Sequence, residues 1–288
     1  MSSVQHYENF PVASWLIPKR QRHPVTIIYH YLRSADDIAD EGDADTMTRI
    51  QQLDTYADQL HRIQNKQRGL DPLFQHLSTI ISQYQLSITP FLDVLRAFKR
   101  DQTQLRYASR EELLSYCQDS ANPVGRIMLD LFYPQHAQKN PAWQAQSDAI
   151  CTALQLINHW QDVVIDWRKG RVYIPQDQLA YYGVAESQLA NGVTNAAWRQ
   201  LMSAQVRHAA HLMCQGATLP CAMTGRFAWE LRLIVLGGLR IAEKLQRCGY
   251  DVFRQRPTLN AYDWSYLLWR ITHYSRYITQ TQQQFSIV

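Results

Sequence analysis

Apolar residues return at helical spacing along most of the 288-residue chain, and this feature narrows the fold more than any other. In the stretch 45–66, Met47, Ile50, Leu53, Tyr56, Ala57 and Leu60 fall on one helical face. The same spacing predicts helices from just after Pro24 to Asp40, then over 71–84, 89–105, 109–132, 143–168, 195–216, 225–249 and 257–281. Ser109 and Glu112 form a capping-box pattern at the start of the 109–132 segment. The stretch 171–194 reads as a loop with short turns at 176–182 and 186–190. Strand-like alternation nowhere persists beyond a few residues. Glycine and proline number only 11 each, too few for long turn-rich β architecture. No repeat or Pro/Gly/Ser linker divides the chain, so one all-α domain over 1–288 is expected.

Within that frame, charge excludes some functions. A formal charge of +4 suits an anionic ligand or lipid surface and is no nucleic-acid signature. The five cysteines are scattered and odd in number, which argues against a disulfide framework and suits a reducing cytoplasm. No signal peptide is read in the first ten residues. The most apolar stretch, 227–242, carries Glu230, Arg232 and Arg240 and reads as a buried helix rather than a membrane span.

Two segments carry chemistry. Ala35-Asp36-Asp37-Ile38-Ala39-Asp40 and Asn158-His159-Trp160-Gln161-Asp162-Val163-Val164-Ile165-Asp166 each hold aspartates four apart inside an expected helix. That spacing sets both carboxylates on one face, where their repulsion costs a few tenths of a kcal/mol (~0.3) unless a cation intervenes. Magnesium is the expected ion, because it takes hard oxygens, keeps waters and bridges carboxylates to phosphates. The candidate ligands are Asp36, Asp40, Asp162 and Asp166, with Asn158 one turn before Asp162 adding a neutral oxygen. One such pair alone is more often a solvated helix face. Two in apolar surroundings point to a shared metal site. His30, His159 and His208 read as packed or surface histidines. Arg33, in a stripe with Tyr29, Asp36 and Asp40, reads equally as a phosphate-gripping group and as an intrahelical partner that orients a carboxylate. Lys169 and Arg171 read either as a lid over phosphate or as complements to a helix C-terminus. Asp101 stands evenly between site member and surface ion pair.

These segments resemble the squalene/phytoene synthase family of the trans-isoprenyl diphosphate synthase superfamily. The resemblance covers nearly the whole chain. It rests on the opening from Phe10 to Pro18, Tyr29 to Asp40, Tyr116-Cys117-x-x-Ser120-Ala121-Asn122-Pro123-Val124-Gly125, Gln155 to Asp166, and Arg171-Val172-Tyr173-Ile174-Pro175. It implies a helical bundle around a central cavity, with Asp36/Asp40 and Asp162/Asp166 on opposite walls holding Mg²⁺ and a diphosphate. The substrate-binding set it implies is Phe10, Arg33, Asn122, Gly125, Gln155, Asn158, Arg171 and Tyr173. Gly125 reads either as room for isoprenoid chain or as a helix–helix contact.

Within the family the look is that of the bacterial hydroxysqualene synthases. Members that condense two diphosphates usually carry a serine-rich stretch before the position of Phe10, and arginine at that of Gln161. This chain has Glu8-Asn9 and glutamine there, which fits an enzyme handling one diphosphate. The implied reaction is ionisation of presqualene diphosphate and capture of the cation by water, which Gln161, Asn158 and Tyr29 are the candidates to hold. No Gly-x-Gly-x-x-Gly or βαβ context exists, so NADPH is not expected. The alternatives are a condensing synthase and a non-catalytic helical scaffold. Because such substrates are greasy, peripheral contact with a membrane is a candidate interaction. The aromatic, basic C-terminal segment (Trp264, Tyr266, Trp269, Arg270, Tyr274, Arg276, Tyr277) reads first as a cap on the core and second as an anchor.

Overall fold

The computed structural model describes residues 16–134 and 140–285. Phe10 lies outside them. Among the described residues every regular element is a helix, and the sole β pairing is an isolated bridge between Arg106 and Val172.

Helix α1 (Lys19–Asp40) starts before Pro24, earlier than its spacing suggested. A proline inside a helix cannot donate to the carbonyl four residues back. That carbonyl, on Arg20, accepts from the Tyr84 hydroxyl at 3.4 Å. Helix α2 (Thr46–Gln64) is capped by the Asp45 carboxylate, which accepts from Thr48 N at 2.7 Å. Met47 belongs to its expected apolar stripe yet is 63% exposed, whereas Leu53 and Leu60 are buried. Helix α3 is Pro72–Tyr84.

Helix α4 (Thr89–Arg100) ends five residues short of expectation. The chain turns at Asp101, and the Gln102 amide donates to the Ala39 and Phe98 carbonyls, tying this end to the end of α1. The expected 109–132 helix divides at Ala121 into α5 (Arg110–Ser120) and α6 (Asn122–Phe132). Pro123 lacks the N–H that would have continued the first helix. The expected 143–168 helix divides as well, at Asp162, into α7 (Pro141–Gln161) and α8 (Val163–Arg168).

Four helices follow: α9 (Gln176–Tyr181), α10 (Glu186–Ala190), α11 (Ala196–Gly216) and α12 (Leu219–Ala222). Helix α13 (Arg226–Arg247) carries the apolar segment read as buried. The expected 257–281 helix is instead α14 (Ala261–Ile271) and α15 (Tyr274–Phe285). Asn260 and Asp263 cap the start of α14 reciprocally, which explains its late beginning.

Two apolar cores result. One gathers α1 to α4 with Ile127 and Leu131 of α6, around Tyr31, Phe74 and Phe91. The other is centred on α7, α11 and α13, around Trp160, Trp198 and Leu236. Between them lies a cavity of about 690 Å³, walled by α1, α4, α6, α7 and α13. Among the described residues no helix is long and apolar enough to cross a membrane.

Candidate active site

One end of this cavity is polar, with Tyr29, Arg33, Asp36, Gln155, Asn158, Asp162 and Arg256 on its wall. The rest is mainly apolar, with Val94, Phe98, Met128, Phe132, Phe227 and Ile234 among its lining. The polar end is built where α1 and α7 both finish. The Arg49 guanidinium fixes the end of α1 by donating to the carbonyls of Ile38, Gly42 and Ala44 at 2.7–2.9 Å. On the other side Asp162 sits at the junction of α7 and α8, with φ −106° and ψ 15°. The turn nonetheless continues, because Asp166 N donates to the Asp162 carbonyl at 2.9 Å.

Each of three site aspartates is held by cations. Arg33 pairs with Asp36 at 2.7 Å and also with Asp37 and Glu41. The intrahelical reading of Arg33 is thus the one its contacts follow, although it lines the cavity as well. Asp40 is gripped across the site by Lys169 (2.7 Å) and Arg171 (2.8 Å). Asp162 accepts two bonds from Arg256, at 2.5 and 3.1 Å. Asp166 meets only the His159 imidazole, at 4.0 Å, among the described ion pairs.

The segment bearing Lys169 and Arg171 is fixed by a neighbouring arginine. Arg106 donates to the Gly170 carbonyl (2.5 Å) and forms a two-pronged bond to Glu186 (2.6 and 2.8 Å). Val172 N donates to the Leu105 carbonyl, and Gly170, at φ +76°, takes the left-handed turn after α8 that favours glycine.

The electrostatics show that both aspartate pairs share one field. Burial, then the charge of Asp40, raises the Asp36 carboxyl above its usual range. Burial would raise Asp40 also, but hydrogen bonds from Arg171 and Lys169 hold it below. Asp166 is pushed up to about 8 by burial, then by Asp162, with Asp40 adding to the effect. A divalent cation shared by these carboxylates would remove their mutual repulsion, so the donor set fits a hard ion. No three His, Cys, Asp or Glu side chains among the described residues form a ready-made cage.

Several expected site residues are turned elsewhere. Gln161 was expected to hold a water. Its side chain instead donates to the Pro257 carbonyl, and it is 1% exposed and absent from the cavity wall. Asn122 is buried and accepts from Thr152 Oγ1 at 2.9 Å, pinning α6 to α7 rather than facing ligand. Tyr173 stacks on His159 at 3.6 Å and donates to Asp101 at 3.4 Å. With Asp166, Arg171 and His159 it lines a separate pocket of about 10 Å³, the size of one water. Gln155 lines the cavity and contacts the His159 ring at 3.3 Å. Gly125 satisfies both of its readings. It lines the cavity, and a Cβ there would lie 2.4 Å from Ser147 Oγ and 2.6 Å from Cys151 Sγ.

Asp101 is no surface ion pair. It is buried, accepts from the Tyr116 hydroxyl at 2.7 Å, and is pushed up to about 6 by burial, against that hydrogen bond. Burial drives the neighbouring His159 down to about 3, leaving it neutral. Arg256 is a cavity residue at the polar end that sequence reasoning missed, since its segment Arg254-Gln255-Arg256-Pro257 has no helical pattern and no motif.

Comparison with known proteins bears on this site. The squalene/phytoene synthase family model matches residues 3–263. A hydroxysqualene synthase from Rhodopseudomonas palustris is 36% identical over 242 residues, covering 83% of this chain and 80% of that protein. A phytoene synthase from Arthrospira platensis is 28% identical over 263 residues, covering 88% and 84%. Among solved structures, a squalene synthase from Alicyclobacillus acidocaldarius superposes with a TM-score of 0.76 at 34% identity, covering 85% of this chain and 90% of that one.

Proposed function

Because the chain belongs to the squalene/phytoene synthase family of enzymes acting on isoprenyl diphosphates, we propose that it is a hydroxysqualene synthase. In this reading it ionises presqualene diphosphate and captures the cation with water, releasing diphosphate. The observation that carries the reading is the cavity itself, about 690 Å³ of mainly apolar wall ending at Asp36, Arg33, Asn158, Asp162 and Arg256. An apolar chain with an anionic diphosphate head matches that polarity. The finer choice of reaction is supported by Asn9 and Gln161 standing where condensing members carry serine and arginine, and by the likeness to hydroxysqualene synthases.

Asp36, Asp40, Asp162 and Asp166, with the Asn158 amide oxygen, are the residues that would hold Mg²⁺. When bound, the ion supplies Lewis-acid neutralisation of the leaving diphosphate. Arg33 and Arg256 on the cavity wall, with Arg171 and Lys169 held on Asp40, would share the charge as the carbon–oxygen bond breaks and its electron pair leaves with the diphosphate. The apolar walls exclude bulk water, so the cation survives until a held water attacks. Asn158 and Tyr29 remain the candidates to hold that water, because the Gln161 amide is committed to Pro257. The water oxygen forms the new bond as a strained ring bond of the rearranged cyclopropylcarbinyl cation opens and its electron pair becomes a double bond, and the water's proton passes to the departing diphosphate. Contact with a membrane surface is part of the proposal, since substrate and product partition into lipid.

The test is a product assay with purified protein and Mg²⁺, offering farnesyl diphosphate and presqualene diphosphate separately without NADPH. Hydroxysqualene from presqualene diphosphate, lost in Asp36→Ala and Asp162→Ala, is the expected result. Presqualene diphosphate made from farnesyl diphosphate would replace the proposal with a condensing activity. No turnover of either would leave a scaffold.

A further inference from the structure

Glu230 is a buried carboxyl group on the wall of an otherwise mainly apolar cavity, 8% exposed and far from the polar end. Its depth follows from the helices around it. Phe132 of α6 stacks on Phe227 of α13 at 4.0 Å, and the adjacent Tyr133 meets Trp143 of α7 edge-on at 5.5 Å. Phe227 therefore lies near the level of Trp143. Higher up, Gly238 of α13 lies against Leu154 of α7, where an added Cβ would be 2.9 Å from the Leu154 side chain. Glu230, one turn above Phe227, falls near the level of Ser147, which also lines the cavity. From Ser147 to Asp162 is fifteen residues, or about 22 Å at the helical rise of ~1.5 Å per residue.

An extended farnesyl chain with its diphosphate spans about that depth, and a geranylgeranyl chain exceeds it. A longer chain would have to pass the Glu230 carboxyl, pressing hydrocarbon against a group that is costly to desolvate, or displace the stacked phenylalanines. Resting on the isoprenyl diphosphate reading, we propose that Glu230, backed by Phe132 and Phe227, is the floor that limits each isoprenoid arm to farnesyl length. The floor is a specificity element, remote from the reacting atoms.

Two measurements test it. In the first, kcat/KM is compared for presqualene diphosphate and its homologue with geranylgeranyl-length arms, in the unmodified enzyme, Glu230→Ala and Phe227→Ala. The unmodified enzyme should prefer the shorter substrate by tenfold or more. Each variant that keeps a cooperative thermal transition should erode that preference about tenfold, equivalent to about 1.4 kcal/mol. The second reads binding of farnesyl and geranylgeranyl thiodiphosphates through tryptophan fluorescence. It needs no turnover, so it still reports on the floor if the proposed reaction is wrong. Equal use or binding of both lengths by the unmodified enzyme overturns the proposal, as does an unmoved preference in both folded variants.

Discussion

Asp162 is secured by a residue 94 positions further along the chain, and that distance sets what its sequence context could reveal. The aspartates themselves were legible, because a four-residue spacing inside an apolar helix is local information. Their cationic partners were legible only where they were local too, as with Arg33. Arg256 sits in a loop without periodicity, and only the packing of α13 and α14 brings that loop to the end of α7. Gln161 failed for the converse reason. It lies three residues after Asn158, close to the same helical face, but α7 stops there and its side chain turns to Pro257. Arg256→Ala removes a fork-like grip on Asp162 and a cation from the cavity mouth. Diphosphate-release kinetics should show kcat/KM lowered by ten- to a hundredfold, about 1.4–2.8 kcal/mol, with kcat falling as well as KM rising, since the guanidinium serves the diphosphate as it leaves. Arg256→Lys should recover only part, since an ammonium cannot make the paired bonds. Unchanged kinetics in the alanine variant would remove Arg256 from the diphosphate end.

At the scale of elements, the pattern located every long helix but not where helices break. The break at Ala121 carries a visible cause in Pro123. Those at Asp162 and at Thr272 have neither proline nor glycine nearby, and the apolar period runs through them unchanged. Short turns at 176–182 and 186–190 were read almost to the residue because Gly183 and Gly192 punctuate them, at φ +66° and +62°. Packing between elements was legible only as a choice, and Gly125 is the clearest instance. A Cβ there would meet Ser147 Oγ at 2.4 Å and Cys151 Sγ at 2.6 Å, so those side chains or the two helices must shift to admit any side chain. Gly125→Ala should therefore destabilise the fold by about 1–3 kcal/mol, despite the better helix propensity of alanine. Chemical denaturation would measure this, and adding Ser147→Gly should restore part of the loss. A Gly125→Ala protein as stable as the parent would mean that Ser147 and Cys151 turn aside without cost and that this contact does not constrain the two helices.

For the whole molecule, the apolar pattern shows that cores exist but not that there are two with a cavity along their seam. It also left the C-terminal segment with two roles, cap and anchor, and the first is visible in the packing. Leu267, Ile271, Tyr274 and Ile278 are buried, so α14 and α15 do cap the core. On the outer face Tyr262, Leu268 and Trp269 are 71%, 58% and 60% exposed, with Tyr266 stacked between Tyr262 and Trp269 at 6.4 and 5.8 Å. On α13 the Arg232 guanidinium lies 4.8 Å over the exposed Trp229 ring. The one acidic residue between 261 and 283, Asp263, is buried against Arg240 and Lys244, whereas Arg276 is exposed. Amphipathic rings beside unopposed positive charge suit the headgroup region of an anionic bilayer. The protein should therefore float with phosphatidylglycerol-containing vesicles, bind phosphatidylcholine vesicles at least tenfold more weakly, and lose affinity as salt rises. The double variant Tyr262→Ser/Trp269→Ser should reduce vesicle binding by a further tenfold or more. If vesicle binding is absent and the double variant instead abolishes a concentration-dependent dimer in sedimentation, the face joins two copies of the chain and the membrane contact proposed here is wrong.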